Sequence, residues 1–291
     1  MSALPLPAAT SATEVLFASE RFVLGSFRCV ISDPRWAREN RIEDGFNIVF
    51  PAAPVQIIPT GMHRLLGDRN HVLLYNQGQT FRREPASPDG DVCTFLVAEE
   101  DYLRRVAYDA GLGVARGRFS FAANSAPLPA GLYLASRVVI ARMASGRLST
   151  GESDRCLDEI TRRVMAEVAR GAPQGEPPVR LSPEHVAMVE GIKLVLADFP
   201  ASTKLPELAQ RASVSPFHLA RVFRKCTGFT LHAYRDQLRL RFCLDRLIAG
   251  EASVSELAYV AGYSSPSHLS DNFRRAFGFP PSRTKDVVEA P

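Results

Sequence analysis

The stretch LPELAQRASVSPFHLARVFRKCTGFT, residues 205–230, recurs later in the chain as VSELAYVAGYSSPSHLSDNFRRAFGFP, residues 254–280. Identical residues return at a shift of 49 in the first part of each copy and at a shift of 50 in the second part. The copies therefore differ in length by one residue, which falls in the turn between their helical segments. A repeat of this kind is typical of a duplicated supersecondary unit.

Each copy has the pattern of a helix-turn-helix unit. A short helix with apolar residues at i, i+3 and i+4 precedes a tight turn. A second helix begins with a capping serine, Ser215 or Ser265, and the proline after each serine occupies a position where its missing N–H costs nothing. Gly228 and Gly278 end these helices, because glycine readily adopts the left-handed conformation of a C-terminal cap. The predicted units are residues 205–228 and 254–278.

The second helix of the first copy has a basic face that its own core does not require. Leu219, Val222 and Phe223 are spaced to face the core. The opposite face carries Phe217, Ala220, Arg221, Arg224 and Lys225. Basic residues clustered on one helix face are typical of nucleic-acid binding, so this face is a candidate DNA contact, although a merely solvated basic face has the same pattern.

The distribution of charge points to the same part of the chain. The formal net charge is +4. From Arg180 onward there are 15 Lys and Arg against 11 Asp and Glu, whereas the preceding part holds 20 of each. We therefore expect a DNA-binding domain over residues 181–291. Its long helix, Leu231–Ala249, would join the two units rigidly and hold their second helices about 34 Å apart, which is one turn of DNA.

The N-terminal part has the two-residue period of β-strands. Short segments rich in Val, Ile, Phe and Tyr alternate with turn signals, which predicts a small antiparallel barrel or sandwich over residues 21–125. Residues 1–20 have the composition of a loose Pro/Ala/Ser arm and lack a signal-peptide pattern. The predicted strands are Phe22–Ile31, Phe46–Phe50, Val55–Pro59, Asn70–Tyr75 and Asp91–Val97.

Residues 126–170 are predicted to form a helical hairpin, and residues 171–180, rich in proline and glycine, a linker. The second helix of the hairpin carries an apolar stripe. The stripe consists of Leu157, Ile160, Val164 and Val168. Such a stripe either forms the interface of a homodimer or packs on the barrel of its own chain, and the spacing does not distinguish the two.

Five cysteines are scattered along the chain without any CxxC pair. This pattern argues against a structural zinc site and against a disulfide framework, and it is typical of buried thiols in a reducing cytoplasm. No run of about 18 apolar residues occurs, so no membrane span is expected.

The repeated units and the helix between them resemble the DNA-binding domain of the AraC/XylS family of bacterial transcription regulators. The resemblance covers Val186 to Thr284 and is carried by SPFHLARVFRKCTGFTLHAYRDQLRLRFCLDRL and VSELAYVAGYSSPSHLSDNFRRAFGFPPSR. It implies an all-α domain in which both second helices read double-stranded DNA. The implied base-reading positions are Phe217, Ala220, Arg221, Pro266, Ser267 and Asp271. The implied phosphate contacts are Ser215, Arg224, Lys225, Ser265, Arg274 and Arg275.

The two copies differ at the position best suited to reading a base. Arg221 can donate two hydrogen bonds to O6 and N7 of guanine, with a phosphate or intradomain contact as the alternative. The equivalent residue of the second copy is Asp271, where many members of the family carry a basic residue. An aspartate can accept a hydrogen bond from cytosine N4, but it repels phosphates. Base reading by the second copy is therefore an open question at this stage.

The N-terminal part resembles the cupin-like effector domain of the same family, on the stretch HRLLGDRNHVLLYNQGQTFRREP and the GDVCTF after it. The resemblance implies a β-barrel that binds a small-molecule effector, with His63, His71, Tyr75 and Cys93 as candidate pocket residues. Metal-dependent cupins need closely spaced histidines. The only histidines of this half are His63 and His71, eight residues apart, so no metal and no other cofactor is expected.

The predicted fold class is therefore α+β and multidomain: an N-terminal antiparallel, cupin-like β-barrel with a helical hairpin, and a C-terminal all-α domain with two helix-turn-helix motifs. The leading hypothesis is a sequence-specific, effector-controlled transcription regulator without enzyme activity. It would act in the cytoplasm as a homodimer on double-stranded DNA, with RNA polymerase as a further candidate partner. One alternative is a DNA-binding enzyme, either a cupin-type metal enzyme or a repair protein with a nucleophilic cysteine. Another is a ligand-independent regulator whose barrel only dimerises.

Overall fold

A computed structural model describes residues 12–112, 119–171, 182–198 and 203–290, which form two compact units. The first unit consists of the described residues of Met1–Met62, Gly67–Leu128 and Val139–Pro178. The second consists of those of His63–Leu66, Pro129–Val138 and Val179–Pro291. The predicted linker lies outside the described residues except for Gly171, and so do residues 1–11 of the predicted arm.

The strands of the described residues form two sheets rather than a closed barrel. The strands are β1 Thr13–Ala18, β2 Phe22–Cys29, β3 Asn40–Arg41, β4 Phe46–Pro51, β5 Val55–Pro59, β6 Leu65–Gly67, β7 His71–Tyr75, β8 Thr80–Pro85, β9 Asp91–Ala98 and β10 Ser125–Pro127. One sheet has the order β1-β2-β9-β4-β7-β10 and the other the order β3-β8-β5-β6. The prediction of a barrel is wrong in this respect. The edge strands β3, β6 and β10 are two or three residues long, too short to pair with one another and close a cylinder.

Five strands of the described residues lie where the sequence pattern predicts none, and the longest of them are β1 and β8. β1 corrects the prediction that residues 1–20 are a loose arm, because it pairs with β2 along the edge of the larger sheet. Its side chains are exposed or half-buried, so it lacks the apolar alternation of a core strand. β8 has the sequence TFRREP, whose charged residues hide an alternation in which Phe81 and Arg83 are both buried.

At two positions of the first unit, neighbouring atoms lie so close to the backbone that only glycine fits. β2 pairs with β9 over its whole length, which places Gly25 opposite Phe95. A Cβ atom at Gly25 would lie 2.4 Å from the Phe95 ring. Gly90, in the turn before β9, has a φ of +77°, and a Cβ atom there would lie 2.2 Å from the carbonyl oxygen of Cys29.

We expect Gly90→Ala to lower the free energy of unfolding by about 1–3 kcal/mol more than Gly61→Ala, because only the first change forces a side chain against rigid backbone. Gly61 has a φ of +76° and nothing within 4 Å of an added Cβ, so its variant measures the left-handed strain alone. Chemical denaturation followed by circular dichroism checks this. Equal losses in the two variants would contradict the steric explanation.

Three helices lie between β9 and residue 171: α1 Glu100–Asp109, which precedes β10, and α2 Ala130–Ala144 and α3 Thr150–Gly171, which follow it. The helical hairpin predicted over residues 126–170 differs from the observed helices at its start and in its membership of the units. Ser125–Pro127 forms β10 and pairs with β7. The division between the units falls inside α2, after Val138, so α2 is not confined to a hairpin with α3.

The apolar stripe of α3 is buried within the single chain. Its four residues are between 0% and 7% exposed, and α3 contacts α1 and β10 of the same unit. The four residues are Leu157, Ile160, Val164 and Val168. Of the two interpretations, packing within the chain is the one that the structure favours. This packing does not favour a dimer through the stripe, because its side chains expose little surface to a second subunit, and the dimer stays a prediction.

The second unit contains the two predicted helix-turn-helix units. Its helices are α4 Pro183–Ala197, α5 Leu205–Arg211, α6 Pro216–Thr227, α7 Leu231–Ala249, α8 Val254–Val260, α9 Pro266–Phe277 and α10 Thr284–Glu289. The first unit of the repeat is α5 and α6, the second is α8 and α9, and α7 connects them. The predicted bounds of α7 are confirmed.

The predicted caps are confirmed as well. The hydroxyl oxygens of Ser215 and Ser265 accept hydrogen bonds from the backbone N–H three residues later, at 3.2 and 3.1 Å. Gly228 and Gly278 end α6 and α9 in the left-handed conformation, with φ of 76° and 87°. Because these signals act within one turn of helix, they can be read from the sequence without knowledge of the tertiary contacts.

Helix α7 contributes to the cores of both repeats. Tyr234 and Leu238 pack in a cluster with apolar residues of α4, α5 and α6. Further along the same helix, Cys243 and Leu244 are fully buried, and α7 contacts α8 and α9. With 19 residues, this helix is about 28 Å long. One rigid element therefore holds the two repeats together.

Two short segments of the first half of the chain are bound into the second unit by buried polar groups. On α4, the Lys193 ammonium donates to the carbonyl oxygen of Leu66 at 3.2 Å, and the Glu190 carboxylate accepts from the N–H of Leu66 at 2.5 Å. On α7, the Asp245 carboxylate accepts from the hydroxyl of Tyr133 at 2.8 Å. The predicted C-terminal domain is thus completed by residues far outside its predicted boundary.

Candidate nucleic-acid interface and buried cavity

Helix α6 exposes the basic face that the sequence predicts. Phe217 is 78% exposed, Arg221, Arg224 and Lys225 are exposed, and Ala220 is half-buried. The side chains of the three cations form no hydrogen bond or ion pair with another described residue. Their charges are therefore free to meet the phosphates or bases of a nucleic acid.

The equivalent face of α9 is less basic at its centre. Asp271 occupies the place that Arg221 has on α6, is exposed, and forms no ion pair with another described residue. Ser267 is exposed and Pro266 is half-buried. A negative charge at the middle of this face repels phosphates. The asymmetry predicted from the sequence is therefore a feature of the folded surface too.

Two further arginines of α9 lie in its last turn. Arg274 is exposed and its side chain has no described partner. The guanidinium of Arg275 donates to the amide oxygen of Asn272 at 2.8 Å, and Asn272 donates in turn to the carbonyl oxygen of His268 at 2.9 Å. Arg275 is thus partly oriented along the helix. Contacts of either arginine with phosphate remain predictions.

The two capping serines retain one hydrogen-bonding function. In Ser215 and Ser265 the hydroxyl oxygen accepts a backbone N–H, which leaves the O–H free to donate. A phosphate at the N-terminus of α6 or α9 would also meet the positive end of the helix dipole. Phosphate contacts of these serines are consistent with the geometry and remain predictions.

We expect Arg224→Ala to weaken binding to specific and random DNA by the same factor and to lower the slope of log K against log salt by about 1, because a phosphate contact releases one counterion. Fluorescence anisotropy at several salt concentrations measures both quantities. Arg170→Ala, which removes an exposed arginine of the first unit, is the matched control and should leave the slope unchanged. A loss confined to one DNA sequence would show that Arg224 reads a base.

A cavity of about 660 Å³ lies in the first unit, between the two sheets. Its lining comes from alternate residues of facing strands, as the two-residue period of strands requires. β9 contributes Asp91, Cys93, Phe95 and Val97, and β7 contributes Leu73 and Tyr75. Phe27, Val49, Val55, Ile57, Phe81 and Arg83 also line it. The volume falls in the usual range of small-molecule sites.

Two of the four predicted pocket residues line this cavity, and two do not. Tyr75 and Cys93 are in its wall. His63 is exposed elsewhere on the chain. His71 is buried, and its Nδ1 is hydrogen-bonded to the carboxylate of Asp68 at 2.9 Å. The two histidines therefore do not line this cavity, and their place in an effector pocket stays a prediction.

Arg83 and Asp91 are the cavity residues that the sequence did not reveal. The Arg83 guanidinium lies 2.7 Å from the Asp91 carboxylate, and both side chains are 8% exposed. The guanidinium also lies 4.9 and 5.2 Å from the ring centres of Phe27 and Phe81. Burial raises the pKa of Asp91, and the Arg83 cation partly opposes that shift. The sequence signal that could have revealed Arg83 was its two-residue spacing from Phe81 in TFRREP, which places both side chains on the same face of a strand.

Two features of the described residues concern the enzyme alternatives. Burial raises the pKa of the Cys93 thiol and that of Cys29, which disfavours the nucleophilic thiolate. Among the described ranges, no three His, Cys, Asp or Glu side chains are grouped so that they could hold a metal ion. No helix in the described part of the chain is long and apolar enough to cross a membrane.

Comparison with known proteins finds a helix-turn-helix domain in the C-terminal part of the chain. A family model for a helix-turn-helix domain matches residues 208–286. The chain is 35% identical over 142 residues to the HTH-type transcriptional regulator GlxA of Rhizobium meliloti, which covers 48% of this chain and 43% of that protein. It is 38% identical over 74 residues to the HTH-type transcriptional activator RhaS of Escherichia coli, covering 25% of this chain and 27% of RhaS. The chain thus spans less than half the length of these curated relatives.

Among solved structures, a crystal structure of apo ToxT from Vibrio cholerae is similar at a TM-score of 0.38 and 11% sequence identity, covering 92% of this chain and 98% of that one. At this TM-score the similarity does not establish a shared fold. The assignment of the C-terminal domain depends on the sequence matches and on the geometry of α5 to α9.

Proposed function

Since a family model for a helix-turn-helix domain matches residues 208–286, we propose that this chain is a sequence-specific DNA-binding transcription regulator of the AraC type. One observation carries the proposal. The second helix of the first repeat exposes Phe217, Arg221, Arg224 and Lys225, and the three cations have no described partner. Basic side chains on an exposed recognition helix are what base reading and phosphate binding require.

The first unit is proposed to bind a small-molecule effector in the cavity between its sheets. A ligand can change DNA binding only if it has different affinities for two states of the protein. The two units divide inside α2, and again inside β6 between Leu66 and Gly67. Both elements therefore run from one unit into the other, and a change in one unit can be transmitted along them. The proposed sensor and reader are therefore covalently connected at four points besides the one at residues 178–179.

The remaining assignments follow from regulation of transcription. We propose no enzyme activity, and we propose the cytoplasm as the place of action, because that is where a bacterial regulator meets DNA. RNA polymerase is the proposed partner when the regulator activates a promoter. A homodimer remains a prediction, for which the buried stripe of α3 provides little surface.

Selection of bound sites from random double-stranded DNA by the full-length protein tests the proposal. We expect one enriched site with two blocks of preferred bases about 10 base pairs apart, because α7 holds two reading helices on one face of the DNA. The block read by α6 should be the more strongly preferred. Binding without any enriched sequence would overturn the proposed function and leave a non-specific DNA-binding protein.

Metal analysis of the purified protein tests the enzyme alternative separately. Stoichiometric iron, zinc or manganese would favour a cupin-type metal enzyme. A protein free of bound metal that selects a specific DNA site is the result expected for a regulator.

A further inference from the structure

On the proposed function, the cavity of the first unit is where the effector binds, and we infer that this effector is an apolar, ring-containing small molecule with one carboxylate group. The inference is carried by three properties of the cavity wall: its apolar and aromatic surface, a set of hydrogen-bond donors without acceptors, and an arginine held rigidly between two rings.

The body of the ligand must be apolar. About half of the lining residues are aliphatic or aromatic, and they come from both sheets, among them Phe27, Phe81, Phe95, Ile57 and Leu73. Along this apolar part of the wall, a polar molecule such as a sugar would leave hydroxyl groups without partners, and each unpaired group costs free energy. Flat rings fit the aromatic side chains by stacking or edge contacts.

The polar groups deep in the cavity need an acceptor. Arg83 is more than nine-tenths buried, and its Nε has no hydrogen-bond acceptor among the described residues. The hydroxyl of Tyr75 and the thiol of Cys93 line the same cavity and form no hydrogen bond with another described residue. These three groups can all donate, and buried donors in native proteins are nearly always paired. A ligand that completes them must bring oxygen acceptors.

The geometry of Arg83 favours a carboxylate over a neutral carbonyl. One terminal nitrogen, Nη1, contacts Asp91 at 2.7 Å. The Nε edge of the same guanidinium is the side on which arginine binds carboxylates with two parallel hydrogen bonds. The rings of Phe27 and Phe81 hold the guanidinium in place. A prearranged donor pair costs little conformational entropy on binding.

The other charged groups of the cavity do not favour a cation. The acids in the wall are Glu39, Glu43, Asp44 and Asp91, and the bases are Arg35, Arg38, Arg41 and Arg83. Asp91, the buried acid, is already paired with Arg83, and Glu39 accepts a hydrogen bond from Thr60 at 2.9 Å. A cationic ligand entering the apolar interior would meet the Arg83 guanidinium without a free buried carboxylate to neutralise it.

Three probes of one shape and different charge test the inference on the full-length protein: biphenyl-4-carboxylate, biphenyl-4-carboxamide and biphenyl-4-ylmethylamine. Isothermal titration calorimetry gives the affinities. We expect the acid to bind at least about tenfold more tightly than the amide, the factor that a charge-assisted hydrogen bond supplies, and the amine to bind worst. Equal binding of acid and amide, tighter binding of the amine, or no binding of any probe would each overturn the carboxylate assignment.

Two variants test whether the preference for the acid probe comes from Arg83 in the cavity. Arg83→Lys keeps a cation beside Asp91 but removes the Nε edge, and it should weaken binding of the acid about tenfold while changing the amide less. Arg82→Lys, next to Arg83 on β8 but exposed and outside the cavity wall, is the matched control and should bind the acid like the wild type. If Arg83→Lys does not fold, Tyr75→Phe preserves the shape of the cavity and should still weaken the acid about three- to tenfold.

DNA binding of the same preparations separates the two proposals. Specific DNA binding without any probe binding would overturn the ligand class and leave the regulator intact. Probe binding by a protein that selects no DNA sequence would support the ligand class and overturn the proposed function. Probe binding that shifts the affinity for the selected DNA site supports both.

Discussion

Asp245→Ala is expected to lower the free energy of unfolding of the second unit by about 3–5 kcal/mol, because it leaves the largely buried Arg137 cation without its counter-charge. The Asp245 carboxylate accepts the hydroxyl of Tyr133 and lies 2.9 Å from Nε of Arg137. Arg241 is 1% exposed and stacks on the Tyr133 ring at 4.9 Å. Burial lowers the pKa of Arg137, but Asp245 and Tyr133 outweigh that effect, so Arg137 stays charged.

The measurement is chemical denaturation of the full-length variants, followed by circular dichroism. Asp271→Ala is the matched control: it removes an exposed aspartate of the same unit that has no described partner, and it should change stability by less than about 0.5 kcal/mol. Asp245→Asn keeps the shape and one acceptor, so an intermediate loss is expected. A loss below about 1 kcal/mol in Asp245→Ala would show that the cluster does not hold α2 against α7.

On the proposed function, the Asp245 cluster also has a place in regulation. Tyr133 and Arg137 belong to the half of α2 that is part of the second unit, and the rest of α2 belongs to the first. Asp245 itself is on α7, the helix shared by both repeats. A change that reorients the start of α2 would therefore act on the helix that connects the two helix-turn-helix units.

Arg221→Ala is expected to weaken binding to the selected DNA site by about 1–3 kcal/mol and to relax the preference at one base position, because a bidentate arginine–guanine contact is lost. Binding to random DNA should fall much less. Anisotropy titrations with the selected site, with that site mutated at single positions, and with random DNA measure this. An equal loss on specific and random DNA would show that Arg221 contacts phosphate only.

Asp271→Ala provides the comparison within the second repeat. At the place equivalent to Arg221, this variant removes a negative charge from the α9 face, so it should strengthen binding to random DNA at low salt. If Asp271 accepts a hydrogen bond from cytosine, the variant instead loses affinity for the selected site at one position. The two results distinguish a repulsive residue from a base-reading one.

The C-terminal domain could be predicted in detail because its signals are local. A serine followed by proline, a glycine three turns later, and apolar residues at helical spacing each act within a few residues. The sequence therefore predicted α7 to its last residue and the exposure of Arg221. The predicted boundary of the domain failed, since Leu66 and Tyr133 enter it by tertiary contacts that no local pattern contains.

In the N-terminal unit, the sequence pattern predicted only part of the cavity wall. Tyr75 and Cys93 were identified as pocket residues, whereas Arg83 and Asp91 were not. A strand pattern shows which residues alternate, but not which of two faces meets another sheet. In β8 the charges of Arg82, Arg83 and Glu84 made a core strand look like a loop. The stripe of α3 illustrates the same limit, because its spacing fits a subunit interface and an internal contact equally well.

By itself, the sequence of this protein determined the two helix-turn-helix units, their caps, the helix between them and the unequal charge of their second helices. These properties arise from backbone preferences and hydrogen bonds between residues within about one turn of each other. The open pair of sheets, the cavity with its Arg83–Asp91 pair and the entry of residues 63–66 and 129–138 into the second unit depend on tertiary structure. Each of them brings together residues distant in sequence, and only strand register and burial select such partners.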